Sequence, residues 1–183
     1  MDGLADFVKK FGNGDCYKSY QEGDDNRLKG QIPDVMRRLL QKEGWCSYKN
    51  QSLWICDPDD WKECADLYSQ IVPGALVLAR SAYGDLFIWD GKLFWYVMVH
   101  EALVMWTMDD EDWFFSQIIT KKQFLPRSVS KAQKLCGKLE SDEMYTYVPA
   151  LALGGSEKTS TVEKVKAKEG IAILASLVPA EKA

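Results

Sequence analysis

The chain has 183 residues, 46% hydrophobic and 27% charged, which excludes a disordered or fibrous polymer and fits one large domain or two small, closely packed ones. The net charge is −4 and no basic run exceeds Lys121-Lys122, which argues against direct nucleic-acid binding and favours a basic protein partner. No apolar run approaches the roughly 20 residues needed to cross a bilayer, and MDGLADFVKKFGNG lacks the basic-then-apolar order of a signal peptide, so a cytoplasmic protein without a membrane partner is expected.

In chain order, the first expected helix is Leu4 to Phe11, closed by Gly12-Asn13-Gly14. Tyr20 to Gly30 is polar and aperiodic and reads as a loop. Ile32, Val35, Met36, Leu39 and Leu40 then recur at helical spacing, with Pro33 early and Gly44 at the end. Gly44 to Asp57 reads as two short strands joined around Lys49-Asn50. Asp57-Pro58-Asp59-Asp60 has the capping and charge pattern of a helix start. Trp61, Cys64, Ala65, Tyr68, Ile71 and Val72 give that helix an apolar face, and Pro73-Gly74 stops it.

From Ala75 to Thr107 the period changes to that of strands, and four are expected in an antiparallel meander. Asp90-Gly91 between two aromatic runs predicts a type I′ hairpin turn. Helices resume after Met108-Asp109. One has Trp113, Phe114, Ile118 and Ile119 on its apolar side. A second has Ala132, Leu135, Cys136 and Leu139, capped by Ser128 or Ser130. Tyr145 to Gly155 reads as irregular and extended. Ser160-x-x-Glu163 reads as a capping box for a last helix to about Val178, with Gly170 weakening its middle. The expectation is an α+β protein: N-terminal helices, a central antiparallel sheet of about four to six strands, and a helical C-terminal part.

Signs of catalysis are sparse. Five cysteines without C-x-x-C indicate neither a disulfide framework nor a zinc ribbon. His100 is the only histidine and has no nucleophile signature beside it, so it reads as structural. Gly154-Gly155-Ser156-Glu157-Lys158-Thr159 has the composition of a phosphate-binding loop. Glu157, however, stands where a glycine should precede the lysine, and its carboxylate would repel phosphate. No catalytic, cofactor-binding or metal-binding residue is therefore named.

Seven Trp, eight Tyr and seven Phe make the chain rich in aromatics; some of them are expected in the core, and Trp and Tyr are also the residues that anchor interfaces. Asp109-Asp110-Glu111-Asp112 beside Trp113 is the strongest candidate for contact with a basic partner, and Asp59 with Asp60 is a second. Acids also favour helix starts through the macrodipole, so both patches carry a structural reading as well.

Ile32-Pro33 with Leu39-Leu40, Gly44-Trp45, and Leu53-Trp54 before Asp57-Pro58 resemble the N-terminal half of the GAD-like domain family. Ala79 through Leu86, Asp142-Glu143-Met144-Tyr145, Val148 through Gly155, and Ala172-Ile173-Leu174-Ala175 are similar to the C-terminal domain of the same proteins. The resemblance covers about Ile32 to Leu177. It departs at Gly170-Ile171, where the family pattern has His-Leu. The resemblance implies a bacterial immunity protein, not an enzyme, that binds and neutralises a type VI secretion DNase effector. It transfers no catalytic residue and no cofactor. A GAD-like domain is expected over residues 1–108 and a C-terminal immunity domain over 109–183. An effector-binding adaptor or chaperone is the alternative, and an enzyme that reverses toxin damage a third.

Overall fold

The computed structural model describes residues 2–125 and 127–183. Its first half opens with α1 (Gly3–Phe11), β1 (Asp15–Lys18), α2 (Glu22–Leu28) and α3 (Asp34–Glu43), followed by β2 (Trp45–Tyr48), β3 (Leu53–Ile55) and α4 (Lys62–Asp66). The meander is β4 (Leu76–Ser81), β5 (Leu86–Trp89), β6 (Phe94–Met98) and β7 (Leu103–Met108). Behind it come α5 (Glu111–Trp113), a π-helical turn (Phe114–Ile118), α6 (Val129–Cys136), β8 (Glu143–Tyr147), β9 (Val162–Lys166), α7 (Ala167–Leu177) and β10 (Glu181–Lys182).

The fold is α+β. Among the described residues the strands form an eight-stranded sheet in the order β1-β2-β3-β4-β5-β6-β7-β10 and a separate β8-β9 ribbon. All neighbours in the large sheet are antiparallel except β7 and β10. The sheet exceeds the expected four to six strands because β1 is polar and β10 is two residues long. Neither carries an apolar alternation that sequence could show.

Both faces of the sheet are buried. Alternation along the strands sends Leu53, Ile55, Phe87, Phe94 and Tyr96 into one core with Phe7, Met36, Leu39, Phe114 and Phe115. Val77, Leu86, Ile88, Trp95 and Val97 enter the other, against Trp61, Cys64, Met144, Ile171 and Leu174. A third cluster joins Trp54 and Tyr83 to Val129, Tyr145 and Tyr147. The N-terminal helices thus cover one face, and α4, α7 and the ribbon cover the other.

Several local expectations change. The predicted loop at Tyr20 to Gly30 contains α2, because the Asp24 carboxylate accepts from Gln21 N at 2.8 Å and Arg27 binds acids on both sides. These are ionic stabilisers that no apolar period announces. The helix expected after Asp57 is regular only over five residues, yet its apolar face is buried apart from half-buried Ile71. The hairpin after β5 turns one residue later than a type I′ turn at Asp90-Gly91. Gly91 takes φ +93°, while the Asp90 carboxylate accepts from Lys92 N and Leu93 N.

Trp113 lies on the exposed side, not the apolar side. The chain widens into a π turn, Ile119 N bonding Phe114 O at 3.0 Å, and this turns Phe114, Phe115, Ile118 and Ile119 inward. In α6, Leu135 is exposed, and Leu139 is buried only beyond the helix end. The Ser160 capping box is not used. Val162–Lys166 pairs with β8 from Glu143↔Lys166 to Tyr147↔Val162, so pairing overrides the local helix signal, and α7 starts at Ala167.

Gly170 has a packing role that its helix propensity hides. A Cβ there would lie 2.8 Å from Val165 Cγ2 and 3.2 Å from Met144 Sδ. Gly170→Ala should therefore destabilise the protein by about 1–2 kcal/mol, against the roughly 1 kcal/mol gain that propensity predicts. The urea midpoint measures it, and a higher midpoint would mean that this contact relaxes freely.

Candidate functional site

The four acids after β7 are mostly committed to the fold. Helix α3 begins at Pro33, which has no side-chain cap to offer, and Glu111 Oε2 accepts from Val35 N at 2.7 Å instead. Asp112 Oδ1 accepts from Gly3 N at 2.7 Å, at the start of α1. A Cβ on Gly3 would come 2.7 Å from Asp112 Cα, so the close approach requires glycine. Asp110 Oδ1 caps its own short helix through Trp113 N at 2.7 Å. Asp109 and Asp110 are exposed, as is Trp113 at 42%. The corner thus combines three helix starts with a solvent-facing rim of carboxylates and one indole.

Asp59 and Asp60 serve a different ionic group. Asp57, nearly buried, bonds Arg27 Nη1 at 2.8 Å and Lys18 Nζ at 2.7 Å. Asp59 reaches the same Arg27, and Asp60 the same Lys18 at 3.0 Å. Burial alone would raise the Asp57 carboxyl, but the bonds from Arg27 and Lys18 outweigh it and hold it below the ordinary range. Asp60, Tyr17 and Trp61 line a groove of about 440 Å³ whose far wall is Asp142, Lys166 and Lys168. Its charges of both signs suit contact with a protein surface better than with a single anion.

Behind this groove, sequence inspection misses Arg80, which is fully buried. Its guanidinium lies between Trp54, at 4.9 Å, and Trp61, at 5.3 Å, and donates to Ser141 O at 2.9 Å. It also misses Arg127, whose side chain is 7% exposed and pairs with Asp85 at 3.0 Å, with Glu101, and with Glu157 at 3.2 Å. Arg80 falls in the Ala79 through Leu86 segment that carries the resemblance but has no role assigned there, and Arg127 falls in none of the quoted segments, so only tertiary contact identifies what they do.

His100 lies beside that second cluster. Its Nε2 is 3.0 Å from Tyr83 O, and the rings of Tyr83 and Tyr147 flank it. Burial first, and the Arg127 charge second, hold its pKa down to about 4. The imidazole is therefore neutral at physiological pH and faces a carbonyl and two aromatic rings. Asp85, wholly buried, is pushed up to about 6 by desolvation, with Arg127 acting against it. This cluster joins the sheet to the segment after Phe124, which is a structural task.

Two outcomes follow. Glu111→Ala and Asp112→Ala should each cost about 1 kcal/mol, as lost helix caps do, whereas Asp109→Ala should stay within about 0.5 kcal/mol. Denaturant midpoints compare them, and equal small effects would remove the capping role. For His100, the lowered pKa means stability fully present above the unfolded value of about 6.5 and lost as pH falls toward about 4. Relative to His100→Asn, the wild type should lose up to about 1.4 kcal/mol per pH unit across that window. Parallel pH profiles would mean that the folded protein protonates His100 freely.

Comparison with known proteins adds what geometry does not supply. Residues 3–102 match the family model of the GAD-like domain, and residues 108–178 match that of the T6SS immunity protein Tdi1, C-terminal. No curated protein matches the chain. Among solved structures it is similar to Atu4351 from Agrobacterium tumefaciens, with a TM-score of 0.83 and 19% identity over 97% of this chain and 90% of that one. At that identity the likeness shows a shared fold alone. The family models carry the assignment further: the chain belongs to the GAD-like domain family and, by its C-terminal match, is a type VI secretion immunity protein.

Proposed function

We propose that this protein protects the cytoplasm of the cell that makes it by binding a cognate type VI effector, a DNase, and covering its DNA-binding or active-site surface. The match of residues 108–178 to an immunity-protein family is the observation that carries the reading. Charge supports the choice of partner. A surface that binds DNA is basic, and a chain of net charge −4 is drawn to it electrostatically. The neutral, enclosed His100 supports inhibition by binding alone, without chemistry of its own.

In this reading the contact surface is the corner Asp109, Asp110, Glu111, Asp112 and Trp113, with Asp59 and Asp60 as a second patch. The GAD-like part (1–108) and the C-terminal part (109–183) meet beside that corner, so both contribute to recognition. Asp109, Asp110 and Trp113 supply the contacts, while Glu111 and Asp112 fix the helices behind them.

Protection tests the proposal. The cognate effector's toxin domain, expressed with this protein, should leave growth and chromosomal DNA intact and should co-purify in a stable complex. A complex without protection would favour an adaptor or chaperone, and protection without a complex would favour an enzyme that reverses damage. Asp109→Asn with Asp110→Asn keeps the α5 cap while removing two charges. It should slow association severalfold and flatten its salt dependence, as rim charges do. Unchanged salt dependence would move the contact away from this corner.

A further inference from the structure

Two of the five cysteines face each other between the first two strands of the large sheet. β1 pairs with β2 so that Asp15 stands opposite Ser47 and Cys16 opposite Cys46, and the irregularity in this pairing comes only after Cys16, before Lys18. Residues directly opposite in an antiparallel pair have Cα atoms roughly 4.5–5.5 Å apart and side chains on one face. That separation lies inside the roughly 4.4–6.8 Å that a disulfide spans. Both sulfurs also lie against the same peptide. Cys46 Sγ donates to Glu43 O at 3.0 Å, and a Cβ on Gly44 would come 3.2 Å from Cys16 Sγ. On the other side, a Cβ on Gly14 would come 2.4 Å from Cys46 Cβ and 2.9 Å from its Sγ. Glycine at both positions keeps side chains out of the space around the two thiols.

The two thiols differ in what can reach them. Cys16 is exposed, whereas Cys46 is buried, as are Cys56 and Cys64, and Cys136 is half-buried. Burial first, and the neighbouring Cys16 sulfur second, push the Cys46 thiol up to about 12, so it stays protonated at neutral pH. An oxidant in solution therefore meets Cys16, with Cys46 held beside it. An accessible cysteine next to a resolving one is the arrangement that diverts a sulfenic acid into a disulfide.

We propose that Cys16 and Cys46 form a reversible redox-modification site, which hydrogen peroxide converts to a cross-strand disulfide that staples β1 to β2 and stabilises the fold. The Cys16 thiolate attacks one peroxide oxygen and the O–O bond breaks. Cys16 becomes a sulfenic acid, and the hydroxide released takes up the proton that the thiol gave away. The Cys46 sulfur then attacks the Cys16 sulfur, the S–O bond breaks, and the hydroxyl leaves as water with the Cys46 proton. Two thiols are oxidised by two electrons in all, and one peroxide is reduced to two waters. The new bond closes the segment from Cys16 to Cys46, with α2 and α3 inside it, and so restricts the unfolded chain. It also fastens the strand that carries Lys18 to Asp57 and Asp60. The site is independent of the immunity reading.

Peroxide treatment of the full chain, followed by mass spectrometry and unfolding in urea, tests the proposal. The oxidised protein should be about 2 Da lighter, and unreduced digestion should yield a Cys16 peptide linked to a Cys46 peptide, separated again by dithiothreitol. Its folding equilibrium constant should exceed that of the reduced protein by about 100-fold, read from the urea midpoint. Cys16→Ser, at an exposed position, should abolish both the link and the gain. Cys46→Ala should leave Cys16 as a sulfenic acid that dimedone traps. Several results would overturn the site: Cys16 advancing to a sulfinic acid while Cys46 stays free, a link to Cys136 or between two copies, or no reaction at Cys16. A Cys16–Cys46 link that leaves the urea midpoint unchanged or lower would overturn the staple.

Discussion

The constraint on which the structure depends is a sheet that is apolar on both faces. Antiparallel sheets commonly keep one face for water, and their strands then alternate apolar with polar residues. Here Leu86-Phe87-Ile88 and Phe94-Trp95-Tyr96-Val97 are buried throughout, so neither face can be left to solvent. Each strand residue adds roughly 1.5–3 kcal/mol when its side chain is fully buried, which makes covering both faces obligatory. The N-terminal helices and the π turn close one side, and Phe94 stacks on Phe114 with ring centroids 4.0 Å apart. α4 and α7, with Met144 of the ribbon, close the other.

Covering two faces from opposite ends of the chain brings distant segments into contact, and polar groups fix how they meet. Glu111 and Asp112 arrive from beyond the meander to serve the first turns of α3 and α1. Arg80 reaches out of β4 to the Ser141 carbonyl. Arg127 returns to Asp85 and Glu101 at the turns of the meander. A buried charge is costly unless it is paired or hydrogen-bonded, so such contacts do little for net stability and much for selecting one arrangement. Arg80 gains from the faces of Trp54 and Trp61 what it lacks in carboxylate partners.

The same economy shapes the surface. An acidic run in an acidic chain invites a purely electrostatic interpretation, yet three of its four carboxylates hold backbone amides. What stays exposed is narrower: Asp109, Asp110 and the Trp113 indole. In general, recognition that combines a few charges with aromatic anchors gives both fast encounter and slow release.

Sequence alone determined the elements with strong local causes. The α1 and α3 helices, the strand pair around Lys49-Asn50 and the four-strand meander follow from apolar period and from turn residues acting over a few positions. Motif-bearing segments such as Val148 through Gly155 pointed to the family, because such matches depend on residue identity and not on packing. Tertiary structure decided the rest, where partners lie far apart in the chain. The Ser160 capping box yielded to β9 because Tyr145 and its neighbours offered a paired strand. Glycine at 170 reflects Val165 and Met144, not helix propensity. The acids at Asp109 to Asp112 divided into caps and rim because α1 and α3, from the other end of the chain, pack against them. Spacing along a chain records local periodicity, whereas the use of a carboxylate or a strand edge depends on which backbone groups folding leaves beside it.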